Sequence, residues 1–221
     1  MKQGTHLSKK FLLYLSIALN VALACMLLLK PSSIKMEESP TEVIVPNKKV
    51  NIVMLGNSIT HAGNWNEVLN RNDVFNAGMP GWTSQQLSWV IKDFVVPNNP
   101  KLCFFKAGIN DYILGISTQR IYKNICTNLD SIKAVGVQPV FQTTLYQLNN
   151  EKVNRQIDSL NDLMKKFCAE KSYDYVNLHP FLSENKDANA VYYLEDGTHL
   201  KQAAYIEWAK AIRPVIAKYK L

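Results

Sequence analysis

The sequence predicts an α/β fold, a three-layer α/β/α sandwich around a mostly parallel, five-stranded sheet. Short apolar runs rich in strand-forming residues alternate with longer runs in which apolar residues recur every three or four positions. Such alternation is typical of a parallel sheet covered by helices on both faces. The 221 residues, 47% of them hydrophobic, are enough for one domain with a single core, and the aromatic content of 10% excludes a disordered chain.

Each predicted element has its own pattern. The predicted strands are residues 50–55, 74–76, 102–106, 138–143 and 173–177, and the predicted helices are residues 83–96, 118–135, 151–171 and 201–219. In the second helix, for example, Ile121, Ile125 and Leu129 lie on one stripe. In such folds the ligand site lies at the carboxyl ends of the strands, so the residues that follow each strand are the first place to look for chemistry.

The positive charge is unevenly distributed. The net charge is +7, but residues 1–30 contain four lysines and no acidic residue. Residues 31–221 therefore have 21 basic and 18 acidic residues, an ordinary balance for a globular domain. This part of the chain has no concentrated basic stripe with interleaved aromatic residues, so we expect no nucleic-acid partner.

The excess charge flanks an apolar segment. Residues 11–29 include no charged side chain and would span about 28 Å as a helix, enough for a bilayer core. Lys9 and Lys10 precede it, which favours a cytoplasmic N-terminus at residues 1–10 and an exported domain. We therefore predict an uncleaved transmembrane signal-anchor at residues 11–29, which would place the protein in the cell envelope. A lipoprotein acylated at Cys25 and a signal peptide cleaved after Ala24 are the alternatives.

The chain after the apolar segment divides into two parts. Residues 30–49 contain three prolines and mixed charges without a clear period, as expected for a linker. Residues 50–221 form the predicted domain. Cys103, Cys126 and Cys168 lack the spacing of a zinc site or a disulfide framework, so we expect buried free thiols.

Four short polar segments occupy the expected edge of the sheet. They follow the first three strands or precede the last helix, and they are residues 56–58, 76–84, 107–111 and 196–199. Ser58, on a tight strand-to-helix turn, either presents its hydroxyl at the sheet edge or caps the helix. Asn110 either donates to an oxyanion or closes a turn. The glycines of the second segment either turn the chain or direct backbone N–H groups outward.

The fourth segment places a carboxylate close to a histidine, which is either a general base or a solvated loop residue. Asp196 precedes His199 by three residues, so its carboxylate can orient the imidazole ring and stabilise the charged form. A serine nucleophile needs such a base. Apart from this pair, no cluster of cysteine, histidine and carboxylate side chains has the spacing of metal ligands, so we expect no metal and no cofactor.

In order and spacing the four segments resemble the motif blocks of the SGNH (GDSL-type) serine esterase family, over roughly residues 50–217. The resemblance implies a flavodoxin-like sheet and a catalytic triad in which Ser58 is the nucleophile, His199 the base and Asp196 its orienting carboxylate. It also implies an oxyanion hole formed by the backbone N–H groups of Ser58 and Gly81 and the side chain of Asn110. We prefer Gly81 to Gly78 because it is the last glycine of an N-x-G-x-x-G pattern that is followed by a polar helix start.

The first block departs from the family pattern. It usually reads Gly-Asp-Ser, whereas this chain has Gly56-Asn57-Ser58. The aspartate of that block is not the carboxylate of the triad, so we expect activity to survive the change. Trp65 and Trp82 flank the first two blocks and either line an acyl or sugar pocket or pack in the core.

These observations predict a membrane-anchored, exported esterase that hydrolyses a small acyl ester, with the O-acetyl group of a carbohydrate as the favoured substrate. The alternatives are a lysophospholipase or other short-chain lipid acylhydrolase, an acyltransferase that uses a sugar as acceptor, and a non-catalytic homologue that binds glycans. The expected partners are the ester substrate and the membrane.

Overall fold

The computed structural model describes residues 49–221. The predicted cytoplasmic segment 1–10, the anchor 11–29 and nearly all of the linker 30–49 lie outside the described residues. None of the helices within residues 49–221 is both long enough and apolar enough to cross a membrane.

The sheet has the predicted strand number and direction. Its five strands are all parallel, in the order β2-β1-β3-β4-β5. Their bounds are β1 Ile52–Gly56, β2 Val74–Gly78, β3 Leu102–Lys106, β4 Gln138–Gln142 and β5 Asp174–Val176. The chain steps from β1 to one neighbour and then returns past β1 to β3, so the topological switch point lies between β1 and β3. Ligands bind at such a point in open α/β sheets.

Seven α-helices accompany the sheet in the described residues. They are α1 Ser58–His61, α2 Trp65–Leu69, α3 Ile109–Ile113, α4 Thr118–Ala134, α5 Glu151–Lys171, α6 His179–Leu182 and α7 Gln202–Lys218. Right-handed crossovers place α4 and α5 on one face, and α2 packs with α7 on the other. The predicted three-layer sandwich is therefore confirmed. A short antiparallel hairpin, β6 Ser183–Glu184 and β7 Asp187–Ala188, follows α6.

One predicted helix is wrong in kind. Residues 83–96 form a 3₁₀ turn at Gln86–Val90 and a π turn at Ile91–Val95 instead of a regular α-helix. Leu87, Val90, Ile91 and Phe94 recur every three or four residues, a spacing that predicts Phe94 in the core. Val95 is instead fully buried and Phe94 only half-buried. The wide π turn, closed by the bond from the Val96 N–H to the Ile91 carbonyl, allows this change of face.

The central strands β1 and β3 are buried along their whole length. All five residues of β1 and all five of β3 are buried, as expected for central strands covered on both faces. β3 ends on Lys106, a fully buried lysine, and the buried Asn57 directly follows β1. Polar side chains therefore enter the interior where the strands end, and the predicted site residues lie there.

Candidate active site

Ser58 is the first residue of α1, directly after β1. Asn57 caps this helix, because its Oδ1 accepts a hydrogen bond of 3.1 Å from the Ile59 N–H. The turn needs a glycine before it, since a Cβ on Gly56 would lie 2.2 Å from Thr60 Oγ1 and 2.8 Å from the Lys106 carbonyl oxygen. The tight turn lifts the Ser58 side chain to the edge of the sheet, where it is only partly buried.

The second part of the site is the turn 196–199, just before α7. Asp196 Oδ1 accepts hydrogen bonds from the backbone N–H groups of Thr198 and His199, each at 2.9 Å. Gly197 adopts a φ of 68°, a conformation that favours glycine, and its carbonyl accepts a bond of 2.8 Å from the Leu148 N–H. These contacts hold the carboxylate and the imidazole ring in one orientation.

Asp196, His199 and Ser58 form a continuous relay. The His199 Nδ1 atom lies 2.7 Å from Asp196 Oδ2, and Nε2 lies 2.9 Å from Ser58 Oγ. An ionised carboxylate only accepts hydrogen bonds, so Nδ1 carries the proton and Nε2 is free to accept the one from Ser58. Although 141 residues separate Ser58 from His199, the sheet brings them to hydrogen-bonding distance.

The charge of the relay is fixed at the carboxylate. The hydrogen bond from the His199 backbone N–H, followed by that from Thr198, lowers the pKa of Asp196 to about 2. The carboxylate therefore remains ionised across the working pH range. Its side chain is 49% exposed and that of His199 40%, so the relay is open to solvent and to a substrate.

Two of the three predicted oxyanion donors, Gly81 and Asn110, lie on a loop and a helix that contact each other. Asn110 is the second residue of α3, and its Nδ2 donates a hydrogen bond of 2.9 Å to the carbonyl of Trp82. Gly81, with a φ of 78°, is exposed, and a Cβ placed on it would meet no atom within 4 Å. In the part of the chain that the structure describes, the backbone N–H groups of Ser58 and Gly81 have no backbone acceptor. Both donors therefore remain free for a ligand.

Gly78 has a different role from Gly81. A Cβ on Gly78 would lie 2.2 Å from the His61 backbone nitrogen, so this glycine allows α1 to approach the end of β2. The His61 Nδ1 donates to the Gly78 carbonyl at 3.1 Å. Gly78 is thus required for packing.

A buried hydrogen-bond network ties the loop of Gly81 to the helix of Asn110. Asp111 Oδ2 accepts from the Ser84 N–H at 2.9 Å and Oδ1 accepts from the Ser84 hydroxyl at 2.5 Å. Asn128 Nδ2 donates to the Ser84 carbonyl at 2.8 Å, and Asn124 Nδ2 donates to the Ser84 hydroxyl at 3.1 Å. We call Asp111, Ser84, Asn124 and Asn128 the brace. It fixes the loop of Gly81 against the helix of Asn110.

The brace and Lys106 have shifted pKa values. Burial raises the pKa of Asp111, although the bonds from Ser84 oppose this shift. Burial lowers the pKa of Lys106 to about 7, and its Nζ has no hydrogen-bond partner among the described residues. The Trp208 ring lies 5.7 Å from Nζ, a contact that favours the charged form.

Sequence reasoning did not assign a role to Asp111, Ser84 or Lys106. The available signal was strongest for Lys106, a charged residue at the end of an apolar strand; Ser84 and Asp111 lie in the polar segments that follow β2 and β3. Trp65, left open between pocket and core, is 2% exposed and packs against Trp208 at 5.0 Å between ring centroids. It therefore belongs to the core.

The thiols are free, as expected, among the described residues. Cys103 and Cys168 are buried and Cys126 is half-buried. Within residues 49–221 no group of three or more histidine, cysteine and acidic side chains is arranged to hold a metal ion.

Fold and site together define a parallel α/β protein in which Ser58, His199 and Asp196 are linked by hydrogen bonds at the carboxyl edge of the sheet. The model of the GDSL-like lipase/acylhydrolase family matches residues 54–205. The chain belongs to this family, and is therefore a hydrolase of the class that acts on esters.

Solved structures share the fold. A candidate acylhydrolase from Bacteroides fragilis NCTC 9343 has a TM-score of 0.69 and 24% identity, over 78% of this chain and 88% of that chain. An acetyl xylan esterase has a TM-score of 0.63 and 15% identity, over 76% and 100% of the two chains. A variant of an acetyl-xylooligosaccharide esterase from Geobacillus Stearmophilus has a TM-score of 0.63 and 17% identity, over 76% and 96%. At these identities the likeness concerns the fold.

One relative by sequence is named for an activity other than ester hydrolysis. The N-acylneuraminate cytidylyltransferase of Streptococcus agalactiae serotype III (strain NEM316) is 27% identical over 160 residues, which are 72% of this chain and 37% of that protein. The chain thus spans little more than a third of the relative. The name cytidylyltransferase describes that whole protein, and the match to the acylhydrolase family gives no reason to assign cytidylyl transfer to this chain.

Proposed function

We propose that the protein is an exported, membrane-anchored serine esterase that removes small acyl groups, with the O-acetyl groups of a carbohydrate as its substrate class. The relay carries this proposal: His199 Nε2 lies 2.9 Å from Ser58 Oγ, and Nδ1 lies 2.7 Å from Asp196 Oδ2. These are the contacts that a serine needs to become a nucleophile near neutral pH.

In the first half of the reaction Ser58 Oγ attacks the ester carbonyl carbon while its proton moves to His199 Nε2. The carbonyl oxygen becomes an oxyanion, which would accept hydrogen bonds from the N–H groups of Ser58 and Gly81 and from Asn110. Asp196 stabilises the imidazolium that forms. The intermediate then collapses, the bond to the alcohol oxygen breaks, and His199 returns the proton to the leaving alcohol.

In the second half a water molecule attacks the acyl-enzyme. His199 takes one proton of the water, and a second oxyanion forms in the same place. When this intermediate collapses, the carboxylic acid leaves and Ser58 recovers its proton from His199. The cycle consumes one water and yields one acid and one alcohol.

The preference for a small acyl group rests on the open surroundings of the site. Gly81 is exposed and faces unoccupied space, and the relay side chains are 40% and 49% exposed. An open surface removes little of a long acyl chain from water, so it gains little of the roughly 0.8 kcal/mol that each buried methylene can supply. The acetyl esterases that share the fold support a carbohydrate as the alcohol part.

Export and anchoring rest on the sequence alone. The uncharged run at residues 11–29 after Lys9 and Lys10 is the reason to propose them. An anchored domain outside the cytoplasm would meet cell-envelope carbohydrate directly.

The test uses the full chain in detergent with p-nitrophenyl acetate, butyrate and octanoate. We expect turnover that falls with acyl length, loss of turnover in Ser58→Ala, and labelling of Ser58 by a fluorophosphonate probe. Ser159→Ala is the matched control, since this exposed serine on α5 bonds only the Arg155 carbonyl. Wild-type turnover no higher than that of Ser58→Ala on all three esters would refute the esterase. A preference for octanoate would instead favour the lipid acylhydrolase.

A further inference from the structure

Trp89 is an exposed tryptophan whose ring contacts Trp82, the residue that follows Gly81. Its side chain is 61% exposed, although Leu87 and Val90, its neighbours on the same 3₁₀ turn, are buried. A single exposed apolar residue is ordinary on a protein surface. Two further features, its support and its position, distinguish Trp89 from such residues.

The indole ring of Trp89 is supported from the side. Its edge-to-face contact with Trp82 has a centroid distance of 6.1 Å and an interplanar angle of 72°. Trp82 is half-buried and packs on the core. The turn below is also fixed, because Gln86 Oε1 accepts 2.9 Å bonds from both the backbone N–H and the hydroxyl of Thr83. One face of a large flat side chain is therefore presented to solvent in a defined orientation.

This platform is joined directly to the reacting centre. The Trp82 carbonyl accepts the 2.9 Å bond from Asn110 Nδ2, and Trp82 follows Gly81 in the chain. Both candidate oxyanion donors outside α1 thus lie within one residue or one hydrogen bond of Trp82. The brace, through Ser84 and Asp111, fixes the distance between them. A group resting on Trp89 would be held at a constant offset from the ester carbonyl.

We propose that Trp89, supported by Trp82, is a binding platform for the pyranose ring to which the ester is attached, so that it selects the alcohol part of the substrate. This proposal rests on the esterase proposed above and assigns its substrate class to particular residues. A pyranose has a face of C–H groups that packs on an aromatic ring and a rim of hydroxyls that stays in water or binds polar side chains. Polar partners for these hydroxyls are available on the same segment, where the side chains of Gln85, Lys92 and Asp93 are exposed.

An acyl chain is the competing occupant. Ile113 and Leu114 are exposed at the end of α3, the helix of Asn110, and could attract hydrocarbon. An open indole face, however, covers only one side of a chain of methylenes, while the other side remains hydrated. A sugar has no such penalty, because its outward face is polar. The geometry therefore favours the sugar at Trp89.

The experiment compares two substrates on the full chain in detergent, acetylated xylobiose and p-nitrophenyl acetate. The quantity measured is the ratio of their kcat/KM values, which a partly misfolded preparation does not change. We expect this ratio to fall about ten-fold in Trp89→Ala, mainly through KM for the sugar ester, and to recover in part in Trp89→Phe. Val135→Ala truncates an exposed apolar residue at the C-terminal end of α4, and should keep the wild-type ratio.

Each other result has a defined meaning. An unchanged ratio in Trp89→Ala, or a wild type that hydrolyses p-nitrophenyl acetate but not acetylated xylobiose, overturns the platform while the esterase stands. A Trp89→Ala variant whose kcat/KM for p-nitrophenyl octanoate falls relative to that for p-nitrophenyl acetate assigns the platform to the acyl chain and also overturns the proposal. A wild type inactive on every ester refutes the esterase itself, which is a separate outcome.

Discussion

The polar side chains at the carboxyl edge of the sheet fall into two groups that differ in burial. Asp196 and His199, before α7, are about half exposed, and the pKa of the carboxyl group is lowered to about 2 by backbone hydrogen bonds. Lys106, at the end of β3, and Asp111, in the first turn of α3, are fully buried. Burial raises the pKa of Asp111 and lowers that of Lys106 to about 7, so burial disfavours the charge in both cases.

This contrast separates two uses of polar groups. An exposed group retains its charge at little cost, so it can take part in proton transfer but contributes little to stability. A buried group is costly unless it is hydrogen-bonded, and in return it holds backbone segments in place. We therefore expect substitutions in the exposed group to reduce the rate, and substitutions in the buried group to change the free energy of unfolding.

The largest effect is expected for Asp196→Asn. Asparagine retains the oxygen that accepts the Thr198 and His199 N–H groups but presents an amide to His199 Nδ1, which reverses the tautomer. We expect kcat to fall about 10⁴-fold, with a change of less than about 1 kcal/mol in the free energy of unfolding. Esterase kinetics and urea unfolding measure the two quantities, and Asp162→Asn, on an exposed aspartate of α5, is the control. Loss of stability as large as the loss of rate would contradict the contrast.

Lys106→Met tests the buried group where it has no hydrogen-bond partner. The unfolded chain holds the lysine proton up to a pKa near 10.5, whereas the folded protein releases it near 7. Between these values the unfolded state binds more protons, so the wild type gains stability as the pH rises, and below pH 7 the full cost remains. We expect Lys106→Met to be more stable at pH 7 by on the order of 3 kcal/mol, an advantage that shrinks toward pH 10.

Urea unfolding at pH 7, 8 and 9 measures this difference. Lys92→Met replaces an exposed lysine and should follow the wild-type curve at each pH. Parallel curves for wild type and Lys106→Met would show that Lys106 keeps its proton in the folded state.

The sequence was most informative where signals are local. Helical periodicity over 118–135 and 151–171 predicted α4 and α5 to within a residue at each end, because one stripe of each helix is buried. Ser58, Asp196 and His199 could be singled out because each lies in a short segment beside a predicted strand or helix. Their catalytic roles stay a prediction, while their mutual distances are a property of the fold.

The features that were missed depend on contacts between distant segments. Ser84 and Asp111 are 27 residues apart and meet only because β2 and β3 flank β1 and end at the same edge. The burial of Val95 in place of Phe94 depends on the π turn at Ile91–Val95, which the spacing of apolar residues does not predict. Trp89 had no sequence signal beyond its residue type, since its exposure and its support by Trp82 are tertiary facts.

The smallest effect is expected for Asp111→Asn, which tests whether the buried group also affects catalysis. Asparagine has one acceptor oxygen where aspartate has two, so either the N–H or the hydroxyl of Ser84 loses its partner. We expect a loss of about 1–3 kcal/mol in the free energy of unfolding. Because the brace positions the loop of Gly81 against Asn110, kcat should also fall, by at most about 10²-fold, with little change in KM.

Asn66→Ala is the control for this prediction. Asn66, on α2, also holds a backbone segment through both of its amide atoms: its Nδ2 donates to the Val74 carbonyl at 3.0 Å and its Oδ1 accepts from the Val74 N–H at 3.1 Å. Val74 begins β2, so these bonds lie at the amino end of the sheet, away from the candidate site. Asn66→Ala should therefore lose stability and retain kcat. If both variants lower kcat equally, Asp111 acts on activity only through global stability; if Asp111→Asn alone lowers kcat, the buried group also sets the geometry in which the exposed group works.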